Sequence, residues 1–431
     1  MHVRCHATSG VPQQQQQTMS TVPPPKPGVR KPPRLDLRAF QSPTSTPTRR
    51  WYPTTLIDSH IHLWTREQQE NGQIIWPTRE GQSNQLTGPH EMGHYAQITQ
   101  VGIDKFANSK SKFDGVVFVQ ADNGSKGGWD ASIDEVERVC AAALETGTKV
   151  IAIVPWAPVH VGPRGLELYL SRLLSQPSLV TYTHKLGYNP IKSFRYLLQD
   201  SRRGFFLERE FVRGLAYLGD RGYAFDMTLD STHEDTRGPL VLDDAIEAVS
   251  QARALQETQT RSRFILDHFA KPDLTVDATV PPSAFQTSYI SSMFALALLP
   301  DVYLKLSALL DSCDEPTVRE AFEDFSAGRS TKTKRKGTKY ETLTARILTY
   351  LEPAIEAFGD SRIVVGSDWP MFRAKTVLAS SPGQGNEEEE ALAWAFEMQL
   401  YLDCLVELGL EGESLDRIFA GNAKDLYAIG S

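Results

Sequence analysis

Leu56-Ile57-Asp58-Ser59-His60-Ile61-His62-Leu63-Trp64 is an apolar run that stops at two imidazoles one residue apart. Side chains alternate along a strand, so both rings leave the same face. They form a chelating pair or a pair of hydrogen-bonding bases. With ten histidines in 431 residues, a lone His-X-His carries little weight. Its meaning depends on what the other apolar runs end in.

Eight such runs read as strands: residues 54–58, 115–120, 149–155, 193–197, 223–228, 263–267, 302–306 and 362–366. Amphipathic stretches such as 130–145, 240–256, 343–358 and 388–408 lie between or after them. Strands alternating with helices predict a parallel α/β architecture, and eight of them predict a (β/α)8 TIM barrel over residues 54–431. Active sites in that fold gather at the C-terminal strand ends.

Those ends are polar here. After His60 and His62 come Gln120 and Asp122 on the second strand, Arg195 on the fourth, Asp226 on the fifth and Asp267-His268 on the sixth. Lys305 and Ser307 mark the seventh, and the eighth runs into Gly366-Ser367-Asp368-Trp369-Pro370. Each has a plainer reading. Asp368 could cap the next segment, His268 could be a satisfied core histidine, Arg195 could pair with an acid on the rim, and Trp64 and Trp369 could be packing residues. Collected at strand ends, however, they suit acid–base chemistry with a carboxylate base. Lys305 alternates with Leu304 and Leu306, so its side chain points opposite to theirs, inside or outside the barrel, and inside is the expectation taken.

Composition narrows the partners. A formal charge of −8 and a pI near 5.8 give no overall basic footprint for nucleic acid. No run approaches a membrane span. Four scattered cysteines without a Cys-X-X-Cys pair fit a reducing compartment, so a soluble cytoplasmic protein is expected. Residues 1–53 hold ten of the 26 prolines, a glutamine run and eight Lys or Arg against one acid, and are expected to be a disordered extension. Its composition resembles an organelle targeting segment faintly, and Met19 offers an alternative start. A basic stretch near 327–340 reads as an exposed insertion loop.

The segments 56–64, 193–200 (Ser-Phe-Arg-Tyr-Leu-Leu-Gln-Asp), 267–272 (Asp-His-Phe-Ala-Lys-Pro) and 362–370 (Arg-Ile-Val-Val-Gly-Ser-Asp-Trp-Pro) resemble signatures of the amidohydrolase-2 family of metal-dependent-hydrolase-like barrels. The resemblance runs from about residue 51 to 429 and is closest to the sugar-lactonase branch, with L-fucono-lactonases and fungal L-rhamnono-gamma-lactonases. It implies hydrolysis of a sugar gamma-lactone to the aldonic acid. Asp368 would be general base on water, His60, His62 and His268 would be catalytic, and Arg195, Lys305, Gln120, Ser307, Asp226, Trp64 and Trp369 would contact or frame the sugar. His60, His62, His268 and Asp368 would also be the ligands of one divalent ion, zinc first. The fifth strand has no histidine, which argues against two metals, and the branch leaves a metal-independent reaction open. A zinc-dependent decarboxylase of the same family, or a barrel that binds a metabolite without turnover, are the competing readings.

Overall fold

The computed structural model describes residues 49–74, 86–122, 124–199, 201–232, 240–258, 261–331, 333–376 and 387–429. Most of the expected N-terminal extension, residues 1–48, lies outside them. Eight strands appear where the sequence places them: β1 (Thr55–Ile61), β2 (Lys112–Val119), β3 (Val150–Val154), β4 (Ser193–Leu197), β5 (Ala224–Thr228), β6 (Phe264–Leu266), β7 (Val302–Leu306) and β8 (Ile363–Val365). The twelve helices that carry the outer layer or cap the strand ends are α1 (Arg66–Glu70), α2 (Met92–Lys105), α3 (Gly124–Thr146), α4 (Gly162–Leu173), α5 (Pro177–Leu186), α6 (Arg209–Asp220), α7 (Leu240–Ala254), α8 (Ala284–Ala297), α9 (Glu315–Ser326), α10 (Lys339–Phe358), α11 (Arg373–Thr376) and α12 (Glu387–Glu407). Among the described residues no helix is long and apolar enough to cross a membrane.

All strand pairs are parallel, in two runs, β1-β2-β3 and β4 through β8. Parallel bridges between Ile153 and Ile191 and between Trp156 and Arg195 join β3 to β4. At the other seam Asp368 N–H donates to the His60 carbonyl and His62 N–H to the Trp369 carbonyl, both at 2.8 Å. The runs therefore meet at both seams, as expected for a TIM barrel.

Alternation along each strand sorts side chains into two cores. Phe194, Phe225, Met227, Leu304, Leu306 and Val365 face outward into the layer shared with the helices. Ile57, Val117, Val119, Ala224, Ile265 and Val364 face inward and pack with Ala420, Ala423, Leu426 and Tyr427 of the C-terminal segment. The Arg263 guanidinium, just before β6, donates to the Leu426 carbonyl, so this plug sits at the N-terminal mouth. Lys305 shares the inward parity of Tyr303 and is wholly buried, as expected. The polar groups crowd toward the opposite, C-terminal end.

The basic stretch lies between α9 and α10. Part of it is tied down: Arg335 pairs with Glu407 and Arg329 with Asp324, while Lys334 and Lys336 are exposed.

Gly366 makes the β1/β8 seam. A Cβ there would stand 2.7 Å from the His60 nitrogen and 2.8 Å from the His60 Cβ, closer than real contacts allow. Gly366→Ala must push β8 off β1 and carry Asp368 with it. We expect a loss of about 1 to 3 kcal/mol, the usual cost of overpacking, read from urea unfolding midpoints. A midpoint equal to the parent's would show that the seam has slack.

Candidate active site

Three imidazoles point the same ring nitrogen at one carboxylate oxygen. Asp368 Oδ1 lies 3.0 Å from His62 Nε2, 3.3 Å from His60 Nε2 and 3.9 Å from His268 Nε2. The two strand-one nitrogens are 3.3 Å apart. Each ring is anchored through its other nitrogen. His62 Nδ1 donates to the Val119 carbonyl at 2.9 Å, His268 Nδ1 meets Ser307 Oγ at 2.9 Å, and His60 Nδ1 faces Asp267 Oδ1 at 3.6 Å. Since a carbonyl can only accept, an uncharged His62 ring carries its lone pair on Nε2.

Local backbone makes this convergence. Asp368 has φ 53° and His268 φ 54°, left-handed conformations that end β8 and β6 abruptly and turn their side chains back over the barrel. His268 begins a run of four such residues through Lys271, held by Ser231, whose N–H donates to the Ala270 carbonyl and whose hydroxyl donates to that of Lys271. Strain of this kind persists only where surroundings over-determine it, and it clusters at functional sites.

Beneath the histidines lies a closed charge network. Lys305 Nζ is 2.6 Å from Asp226 Oδ2 and 3.0 Å from Asp267 Oδ1, with no exposure of any of the three. Asp226 also accepts from Ser193 at 2.5 Å and from the Tyr427 hydroxyl at 3.3 Å. Arg195 Nε donates to Thr228 Oγ1 at 2.7 Å and stands 3.3 Å from Asp267 Oδ2, and its Nη1 donates to the Gln120 carbonyl at 3.0 Å. The expectation that Lys305 and Asp226 touch the sugar therefore meets a different geometry. Their charges answer each other in the barrel interior.

Gln120 and the two tryptophans differ in the same way. Gln120 Oε1 accepts from Asp122 N–H at 2.5 Å, while its Nε2 is buried without a hydrogen-bond partner among the described residues. Trp64 and Trp369 are 1% and 0% exposed; their indole N–H groups donate to the Gly88 carbonyl at 2.8 Å and to Glu390 at 2.9 Å. Both rings pack edge-on against His90. They brace the strand ends from within the core, so framing the sugar, the role expected of them, is not what these contacts form.

Electrostatics follow from burial. Desolvation, joined by Lys305, holds His60 well below its usual value, and desolvation takes His268 down to about 4, so both rings are neutral near pH 7. Burial alone would raise Asp368 and Asp267. The facing histidines outweigh it for Asp368, and Lys305, His60 and Arg195 do so for Asp267, leaving both carboxylates ionised.

The residue that reasoning from sequence passed over is Asp267. Adjacent to His268 in the sequence, it is among the described residues the carboxylate that meets Lys305, Arg195 and His60 together. Thr228, two positions after Asp226 on the same inward parity, was likewise legible by alternation. Glu135 was not. It reaches from α3 to accept from Ala121 N–H at 3.1 Å, and burial pushes it up to about 7.

The donor set fits one metal ion. Donors around a tetrahedral zinc at ~2.1 Å stand roughly 3.4 Å apart, and the three shortest separations here are 3.0, 3.3 and 3.3 Å. Asp368 Oδ1 is buried and lacks a well-directed hydrogen bond. His60, His62 and Asp368 form one such group, and His60, Asp267 and His268 form a second that shares His60.

Residues 57–429 match the amidohydrolase family model. The chain belongs to the amidohydrolase family. It is 22% identical over 399 residues to an L-rhamnono-gamma-lactonase of Scheffersomyces stipitis, covering 87% of this chain and 98% of that one. An L-fucono-1,5-lactonase of Burkholderia multivorans is 26% identical over 200 residues, 46% of this chain and 55% of that one. Among solved structures, a zinc-bound amidohydrolase from Burkholderia multivorans superposes with a TM-score of 0.55 at 20% identity, over 87% of this chain and 99% of that one. These structural likenesses establish the barrel.

Two outcomes test the site's electrostatics. Lys305→Met leaves two buried carboxylates facing each other, and we expect a loss of about 3 to 5 kcal/mol in urea unfolding; under 1 kcal/mol would mean the network is not closed. His90, between the two tryptophans, is held down to about 3 by burial and by Arg373, against a usual 6.5. Between those values the unfolded chain binds a proton that the folded chain refuses, so stability is full above pH 6.5 and falls as pH falls. The loss at pH 5 is about 2 kcal/mol from this residue. His90→Asn should flatten the pH dependence of unfolding between pH 7 and 5 by that amount; an unchanged slope would refute the assignment.

Proposed function

We propose that this protein is a lactonase that opens a sugar gamma-lactone, of the L-rhamnono or L-fucono type, to the aldonic acid. The observation that carries the reading is the convergence of His60, His62 and His268 on Asp368 at the strand ends. Nearly the whole length of a curated lactonase aligns with the chain, which supports the substrate class.

The chain's own groups suit the chemistry. Asp368, ionised and beside the neutral rings of His60 and His268, takes a proton from a water directed at the lactone carbonyl. The C–O bond of water forms as the carbonyl becomes an oxyanion, and the buried Gln120 Nε2 and the Arg195 guanidinium supply donors on that side of the barrel. Collapse breaks the bond to the ring oxygen, and the proton passes from Asp368 through His268 to the leaving alkoxide. Ser307 orients His268 for that transfer. Asp267, fixed by Lys305, Arg195 and Thr228, sets the ring of His60, and Asp226 fixes Lys305 in turn. Zinc is the ion we assign to the site, held by His60, His62 and Asp368 with His268 beside them; bound there it would polarise the carbonyl or acidify water.

Proton release in weakly buffered indicator should report turnover of L-rhamnono- and L-fucono-gamma-lactones above the spontaneous rate; if no aldonolactone is opened faster than in buffer, the reading fails. Asp368→Asn should lower kcat by about 10²- to 10⁴-fold, the range for loss of a positioned base, while retaining the parent's far-ultraviolet circular dichroism. Retained turnover would remove Asp368 from that role. Metal analysis with chelation then separates the two versions: about one zinc per chain whose removal abolishes activity supports the metal-assisted reaction, and full activity in a metal-free sample refutes it.

A further inference from the structure

Four buried side chains of α12, Glu390, Trp394, Glu397 and Tyr401, recur at helical spacing and so form one stripe. A buried stripe this polar needs a reason. Three of its members each reach a different strand or the turn that follows it. Tyr401 Oη accepts from Leu309 N–H at 3.1 Å, just after β7, and donates to Glu397 at 2.5 Å. Trp394 Nε1 donates to Asp58 Oδ2 at 3.1 Å on β1, and Asp58 in turn accepts from Ser367 N–H at 2.8 Å and from the Ser367 hydroxyl at 2.6 Å. Glu390 takes the turn that follows Asp368.

Glu390 is wholly buried and spans that turn with its two oxygens. Oε1 accepts from the Trp369 indole at 2.9 Å, and Oε2 binds the Arg373 guanidinium. His94 of α2 approaches Oε2 at 3.3 Å from the far side. Burial alone would raise Glu390, but His94 and Arg373 outweigh it and hold the carboxyl at about 2, so it is ionised. One carboxylate thus fixes residues 369 and 373, and with them the backbone that presents Asp368 at φ 53°. A left-handed aspartate does not hold itself in place.

We infer that Glu390 is a positioning residue for the hydrolysis: it acts through the Trp369 indole to set the Asp368 carboxylate. The inference rests on the lactonase reading for its turnover test and on the fold alone for its structural one. Glu390 meets Trp369, Arg373 and His94, and not the three histidines that converge on Asp368. Its loss should therefore lower kcat and leave KM near the parent's.

Glu390→Ala should cost about tens of fold to a hundredfold in kcat, the scale of an ångström of misplacement, with KM within about twofold. Glu390→Gln, which keeps an acceptor for the indole, should recover most of it. Trp369→Phe removes the indole donor together with part of a buried ring and leaves Arg373 paired with Glu390, so its effect is read within a cycle. The decisive measurement is the cycle: Glu390→Ala paired with Trp369→Phe should be no worse than Glu390→Ala alone. Multiplying effects, or a change confined to KM, would overturn the inference. Crystal structures of the parent and of Glu390→Ala test it independently of activity. A shifted Asp368 carboxylate supports it, and an unmoved one refutes it. A parent that opens no lactone but shows that shift would sink the lactonase reading and keep the positioning role.

Discussion

An ammonium with no access to water sits between two carboxylates at the centre of this barrel, and the active-site geometry depends on it. Lys305 cannot be neutralised there, because Asp226 and Asp267 raise its pKa further than burial lowers it. Asp267 cannot take a proton, because Lys305 and Arg195 face it. The result is a carboxylate of fixed charge and fixed position beneath His60. Removing charges from water costs several kcal/mol each, recovered only when every partner is present. The site is consequently all or nothing, and its polar members constrain one another more tightly than apolar packing would.

From that base the histidines acquire direction. Each of the three rings is held at Nδ1 or faces an anchor there, which leaves Nε2 for the shared oxygen of Asp368. This arrangement suits a metal and suits a proton relay, since both need imidazoles of defined tautomer aimed at one point. The structure reaches it by layers. Carboxylates and cations lie lowest, imidazoles stand above them, and left-handed turns bring Asp368 and His268 across the top. Around the outside, α12 and Glu135 of α3 brace the turns that a short strand cannot hold alone.

Much of this was legible without coordinates. Eight β-branched runs separated by amphipathic stretches predicted the barrel because a parallel strand buried on both faces has little choice of residue. Each observed strand overlaps its predicted run. His60, His62, His268 and Asp368 could be read together because strand ends are where a barrel displays chemistry. Gln120, Arg195 and Ser307 fall in that same shell. Lys305 lies inside the barrel, on the opposite face from Leu304 and Leu306, but alternation says nothing of how far down the barrel a position lies or of which charge it meets there. Trp64 and Trp369 stand beside the motifs, where aromatic residues serve packing and binding alike, and only contacts distinguish the two.

The sequence by itself determined the fold, the family and the identity of the converging residues, for these follow from local periodicity and from motifs of consecutive residues. Tertiary structure alone decided which charge answers which. Asp267 pairs with Lys305, 38 positions along the chain, and Glu390 with Trp369, 21 positions back. Electrostatic and hydrogen-bonding partners depend on distances of a few ångströms between separate elements, and a linear pattern carries no record of those distances.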